Sequence, residues 1–279
     1  MDVKIDWNEL WKERLELQSK AQLSTDCANM WKNKENAKRF WEMSQENKNR
    51  IEKTLAGMVL TPESRVLDIG AGPGSLAVPL AEKVAHVTAV EPAEGMMEIL
   101  KQNIETYGIR NINCVYKDWE SVDAESDLCP PYDVVFASYS LGMKDIRASI
   151  QKMIDVSSGY VYLYWFAGDT SWDIHSQKLW PILHGCEYRQ GPKANILYNV
   201  LYDMGIYPNV KVFPFEHKNR FESLEEALGH FKPQYAAFSP DQEEILRSYL
   251  LEVLEEENGT LVQKGWSIRV KMWWKSSSP

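Results

Sequence analysis

The chain has 279 residues, enough to bury a full core as one large domain or two small ones, and its 44% apolar and 25% charged content excludes a disordered or fibrous protein. With 31 basic residues against 40 acidic ones the formal charge is -9, so no global positive field draws it to nucleic acid phosphates. No uncharged apolar run reaches spanning length and the opening residues lack a signal-peptide core, so a cytoplasmic protein without membrane association is expected.

From Asp6 to about Gly57 the pattern is helical. Trp7, Leu10, Trp11 and Leu15 fall at i, i+3, i+4 and i+8, and Phe40, Met43, Ile51 and Leu55 continue the apolar spacing among charges. Two or three helices are predicted over 1–57, ending at the Thr61-Pro62 turn. Strands and helices then alternate. Strands are expected at 65–69, 86–90, 112–116, 132–138 and 160–166, with helices at 75–84, 94–107 and 146–156 between them. Such alternation predicts an α/β fold with a doubly wound, mostly parallel sheet.

Beyond that region the regularity loosens. Residues 167–192 are polar and aromatic and have the look of a lid-like insertion. Over 193–279, helices are expected at 194–204, 222–231 and 241–257, the last introduced by Ser239-Pro240, with strands at 210–215 and 265–274. No linker and no internal repeat stands out, so one domain is expected, with a core at 63–166 between an N-terminal helical cap and the later embellishments.

Cys27, Cys114, Cys129 and Cys186 show no C-x-x-C spacing and read as buried thiols, neither disulfide-bonded nor zinc-binding. His175 and His184 lack the H-x-x-x-H spacing of a helical metal pair, and no metal is predicted. The eleven tryptophans cluster near the start, middle and end of the chain; core packing is the favoured reading, an aromatic-lined pocket the other.

In open α/β sheets ligands bind outside the carboxyl ends of the strands. The residues that stand out lie at such ends. Asp68 closes the first strand and leads into glycines at Gly70, Gly72 and Gly74; Glu91 closes the second, Asp118 follows the third, and Ser138 and Tyr139 follow the fourth. A dinucleotide fingerprint requires G-x-G-x-x-G/A, whereas the spacing here is G-x-G-x-G with Pro73 inside the loop. Asp68 before the loop would repel pyrophosphate and suits an ammonium group. A cationic, amino-acid-like nucleoside is favoured over a nicotinamide dinucleotide.

The run V-L-D-I-G-A-G-P-G resembles the first motif of the class I S-adenosylmethionine-dependent methyltransferases, and the order of acids after it agrees. The resemblance implies a Rossmann-like, seven-stranded sheet with its last strand antiparallel, and S-adenosylmethionine as cofactor. The backbone of Gly70, Ala71 and Gly72, with Gly74 closing the loop, would approach the methionine part, and Asp68 would lie near its amino group. Glu91 would accept from both ribose hydroxyls, Pro92 and Met96 would pack on adenine, and Asp118 would accept from its exocyclic amine. Trp119 would offer backbone or ring contact, and Ser138 would lie beside the sulfonium.

The sequence Ser138-Tyr139-Ser140-Leu141 departs from the N/D-P-P-Y/F pattern of relatives that methylate exocyclic or amide nitrogens. No catalytic residue is assigned, because methyl transfer needs little beyond alignment and water exclusion. Tyr139, Asp145, His175 and His184 are candidates to border the acceptor, with helix capping favoured for Asp145 and ordinary packing for the histidines. The expected partner is a small or medium organic molecule, and an aromatic lid formed by 1–57 and 167–192 is expected to fold over it. Methylation of a protein or RNA and a non-catalytic cofactor-binding module are the alternatives. The basic stripe Lys264, Arg269, Lys271 and Lys275 reads as the solvated face or edge of a strand.

Overall fold

A computed structural model of the chain describes residues 5–21, 31–46 and 48–276. Three helices come first: α1 (Trp7–Ala21), α2 (Lys34–Glu46) and α3 (Lys48–Ala56). The starts of α1 and α2 are written locally. Asp6 Oδ1 accepts from the Asn8 and Glu9 amides at 3.0 and 3.2 Å, and Asn33 Oδ1 accepts from the Glu35 amide at 2.8 Å.

The alternating region follows as β1 (Arg65–Ile69), α4 (Ala77–Ala81), β2 (His86–Val90), α5 (Glu94–Thr106), β3 (Ile112–Val115), β4 (Tyr132–Ser138), α6 (Ile146–Asp155) and β5 (Ser157–Thr170). Then come α7 (Ser171–His184), α8 (Ala194–Asp203), β6 (Asn209–Phe221), α9 (Leu224–Gln234), α10 (Pro240–Val253), β7 (Glu255–Glu257) and β8 (Thr260–Lys275). Seven strands lie in the order β3-β2-β1-β4-β5-β8-β6, and the short β7 pairs antiparallel with β8. The pairs β1/β2, β1/β4, β2/β3 and β4/β5 are parallel. The mixed α/β class with a mostly parallel sheet is therefore observed.

By contacts the chain divides into two compact units. One comprises Met1–Asp26, Phe166–Leu197 and Val212–Val270; the other comprises Cys27–Trp165, Tyr198–Lys211 and Lys271–Pro279. In the second unit Val66, Val134 and Phe136 of the sheet pack with Leu80 of α4, Leu100 of α5 and Ile51 and Leu55 of α3. In the first unit Leu179 and Leu183 of α7 pack with Phe221, with Leu228 and Phe231 of α9 and with Leu246 and Leu250 of α10.

The segment 167–192 differs most from its reading as an irregular insertion. β5 runs on to Thr170, and α7 begins there with a capping box, the Thr170 hydroxyl accepting from the Asp173 amide at 3.1 Å while Asp173 accepts from Thr170. Two of the residues on its buried face are Asp173 and Ser176, so an apolar periodicity is absent from the sequence although the helix is well buried. Three cysteines also depart from expectation. Cys129 and Cys186 are exposed and Cys114 is half-buried on an outer strand, because the first two sit in loops outside either core. Cys27 lies outside the described residues. Among the described residues no helix is long and apolar enough to cross a membrane.

Candidate nucleoside site

The reversal of strand order falls between β1 and β4, and the sheet register brings the strand ends there to one level. Ile69 pairs with Val90 on one side and with Ala137 on the other, and Val90 pairs with Val115. The glycine loop, Glu91, the Asp118 loop and Ser138 thus leave the sheet side by side, all within the second unit.

The loop is built on left-handed backbone. Gly70, Gly72 and Gly74 have φ of 73°, 58° and 90°, conformations that strain any residue with a Cβ. The Gly70 and Ala71 amides both donate to the Val90 carbonyl, at 2.8 and 3.0 Å, which ties the turn to β2. Gly70 is closed from the other side, since a Cβ there would lie 2.2 Å from the Ser140 Cβ. The Ser140 hydroxyl also donates to the Ile69 carbonyl at 2.5 Å. Gly72 is open by contrast: a Cβ there would meet only the Met96 sulfur, at 3.9 Å.

Two acids face this turn. Glu91 is 6% exposed; its Oε2 accepts from the Gly72 amide and its Oε1 from the Ala93 amide, both at 2.8 Å. Burial pushes its carboxyl above the usual range, and the two amide bonds partly offset that. Each oxygen keeps a second lone pair, which suits neighbouring hydroxyls. Asp68 is 2% exposed and its Oδ2 is buried with no hydrogen-bond partner. Burial, and secondly repulsion from Glu91, hold its carboxyl well above the usual range. A buried acceptor without a partner costs about 1–3 kcal/mol, so the position is suited to an incoming donor.

The other residues named from the sequence are placed as follows. Pro92 is exposed, and Met96 is buried with Ala93 and Ile99 on the first turns of α5. Asp118 is exposed and caps a single 3-10 turn, its Oδ1 accepting from the Ser121 amide at 2.9 Å. The Trp119 ring is buried, with Nε1 donating to the Ser149 carbonyl at 3.1 Å and the Lys152 ammonium 5.2 Å from its centroid. Trp119 is thus committed to α6. Ser138, half-buried, pairs with Tyr164 of β5. Asp145 caps α6 by accepting from the Ala148 amide at 2.9 Å. His175 pairs with the Tyr249 hydroxyl and His184 with the Tyr235 carbonyl, so each ties α7 to its own unit. Among the described residues no group of three or more His, Cys, Asp or Glu is placed to hold a metal.

Three local features were not foreseen. Ser140 interlocks with Gly70, Tyr139 adopts φ of 58°, and Asn103 donates from a buried amide to the Pro73 carbonyl at 2.9 Å. Asn103 left a signal, being a polar residue on the apolar face that holds Ile99 and Leu100. The basic stripe of β8 is only partly solvated: Lys264 and Lys275 are exposed, Lys271 is half-buried and Arg269 is buried. Lys264 pairs with Glu255 and Glu257, the buried Arg269 lies 3.5 Å over the Phe215 ring, and Lys271 lies 4.1 Å over Trp273 and donates to the Gly57 carbonyl at 2.9 Å. Those three cations are engaged within the protein.

A doubly wound sheet with a glycine turn and acids at adjacent strand ends is an arrangement on which α/β proteins bind nucleosides. Comparison narrows the class: residues 66–158 match the family model described as a methyltransferase domain. A Bacillus halodurans crystal structure described as a candidate methyltransferase superposes with a TM-score of 0.57 over 82% of this chain and 99% of that one, at 14% identity, which is a likeness of fold. An uncharacterized protein of Haemophilus influenzae is 28% identical over 222 residues, 79% of each chain. Over 74 residues the chain is 32% identical to the 23S rRNA (uracil(1939)-C(5))-methyltransferase RlmD of Klebsiella pneumoniae, 26% of this chain but 17% of that enzyme. The resemblance to class I S-adenosylmethionine-dependent methyltransferases is upheld by the family match and by the fold.

Proposed function

We propose that the chain binds S-adenosylmethionine at the carboxyl ends of β1 and β2 and transfers its methyl group to a small or medium organic acceptor. The observation that carries the reading is Asp68 Oδ2, a buried carboxylate oxygen without a partner, beside an open Gly72 backbone and the Glu91 carboxylate. These groups fit the cofactor. Asp68 accepts from the ammonium of its amino-acid end, Glu91 accepts from the ribose hydroxyls, and Met96 packs on the base. Asp118 offers its remaining carboxylate oxygen to the exocyclic amine. Bound there, the cofactor supplies an electrophilic sulfonium methyl for displacement by a nucleophile.

The chain's own task is to align and to exclude water. Ser138 and Tyr139 border the reacting end. The left-handed Tyr139 is the kind of backbone outlier that surrounding structure holds in place at functional sites. Engagement of Arg269 and Lys271 by partners within the protein supports a small acceptor over an RNA backbone, which needs cations free to meet phosphates.

Calorimetric titration with S-adenosylmethionine and S-adenosylhomocysteine tests the reading. Binding by the wild type that Glu91→Ala weakens is expected, and no binding by the wild type overturns it. Labelled S-adenosylmethionine with fractionated metabolites then identifies the acceptor; a labelled RNA or protein in place of a small product would overturn the acceptor class.

A further inference from the structure

Gly95, in the first turn of α5, has no room for a side chain. A Cβ there would lie 2.7 Å from the Lys32 carbonyl oxygen, 2.8 Å from the Trp31 carbonyl oxygen and 2.9 Å from the Asn33 carbonyl carbon. All three are backbone atoms, so the entry to α2 is pressed against α5. That entry is itself held, because Asn33 caps α2 through the Glu35 amide. Around the junction Ala37 of α2 is fully buried with Ala93, Met96 and Ile99, and Trp31 and Trp41 pack against the group. The Lys34 ammonium lies 3.0 Å from Glu98 at its rim.

Two residues of this cluster belong also to the nucleoside site. The Ala93 amide donates to Glu91 Oε1, while Glu91 Oε2 receives the Gly72 amide. The Met96 sulfur faces Gly72. A continuous series of contacts therefore runs from the 31–33 backbone through Gly95 and Ala93 to the Glu91 carboxylate and the glycine turn.

We propose that residues 31–46 are a positioning element for the nucleoside half of the site, setting Met96 and, through the Ala93 amide, the orientation of Glu91. The ligand class is an adenine nucleoside with both ribose hydroxyls free. The inference rests on the proposed S-adenosylmethionine binding and goes beyond it by adding a segment that lies before the glycine motif. A ligand that engages Glu91 and Met96 then stabilises the docked segment, and damage to the junction weakens the ligand by the same coupling. Gly95 and Trp31 act through other residues.

S-adenosylhomocysteine, whose use needs no knowledge of the acceptor, is titrated by calorimetry into the wild type, Gly95→Ala, Trp31→Ala and Trp31→Phe. The control is Gly229→Ala, where a Cβ would meet nothing within 4 Å. Hydrogen exchange over 31–46 is followed with and without the ligand. An intruding methyl at Gly95 is expected to weaken binding by about tenfold. Trp31→Ala weakens it by roughly fivefold, Trp31→Phe recovers most of that, and the control is unchanged. The ligand slows exchange over 31–46.

A folded Gly95→Ala that binds within about twofold of the wild type overturns the proposal, as does exchange over 31–46 that ignores the ligand. Should Gly95→Ala fail to fold, the Trp31 pair and the exchange measurement decide the matter in the same terms. Absence of binding by the wild type overturns the cofactor reading itself; binding without these effects overturns only the positioning role.

Discussion

Asp68 in the second unit and Asp173 in the first are equally buried, each 2% exposed, yet they are used in opposite ways. Asp173 is saturated. Its Oδ2 accepts from the Thr170 amide at 3.2 Å, the Thr170 hydroxyl at 2.8 Å and the Lys193 ammonium at 2.6 Å, and its Oδ1 accepts from the Tyr188 hydroxyl at 3.2 Å. Asp68 has an oxygen with no partner, a like charge nearby, and a carboxyl held well above its usual range by burial. A buried acid completed by its own chain belongs to the fold. One left incomplete beside an open turn belongs to a ligand.

Four substitutions test that contrast. Asp173→Ala leaves the Lys193 ammonium without its buried partner and is expected to destabilise the protein by about 3–5 kcal/mol in denaturant unfolding. S-adenosylhomocysteine affinity of the folded variant should change by less than about twofold, since every residue assigned to the ligand lies elsewhere; a large change would break the contrast. Glu91→Ala removes an acceptor for two hydroxyls and is expected to weaken that affinity by about a hundredfold, with a smaller effect on stability.

Asp68→Asn is expected to cost about tenfold in affinity and to reduce its pH dependence. The sign follows from the raised carboxyl. The ammonium prefers the ionised form, so binding to the wild type releases a proton, and affinity rises with pH from the ordinary carboxylate range until the raised value is passed. The same group favours folding of the free protein at low pH, and that contribution is lost as pH rises through the folded value. Titrations in two buffers of different ionisation enthalpy would detect the proton, and an unchanged slope in Asp68→Asn would assign it to another group. The smallest effect is expected for Tyr188→Phe, about 1 kcal/mol in stability, because Asp173 keeps its other three bonds.

The candidate site was far more legible in the sequence than the first unit. Gly70, Gly72 and Gly74 announce a turn that other residues resist, and Asp68, Glu91 and Asp118 stand at the ends of short apolar strands whose alternation with helices is plain. The start of α10 was equally readable, since Ser239 and Pro240 form a local cap and first turn. By contrast α7 hides its buried face behind Asp173 and Ser176, which a periodicity of apolar residues does not register. Arg269 and Lys271 read as solvated because their partners Phe215 and Gly57 are brought to them only by folding.

Within the site the same division holds. Which backbone positions turn left-handed, and which acids lie beside them, is decided by neighbours in the chain, because dihedral preference and strand periodicity act over a few residues. The sequence by itself therefore determined the sheet class, the loop and the acids around it. Whether an acid is satisfied depends on atoms distant along the chain. Only the tertiary structure decided that Asp68 is left without a partner, that Trp119 turns to α6, that Ser140 fills the space over Gly70, and that the 31–33 backbone closes on Gly95. Burial and pairing are properties of the packed core, and no local pattern encodes them.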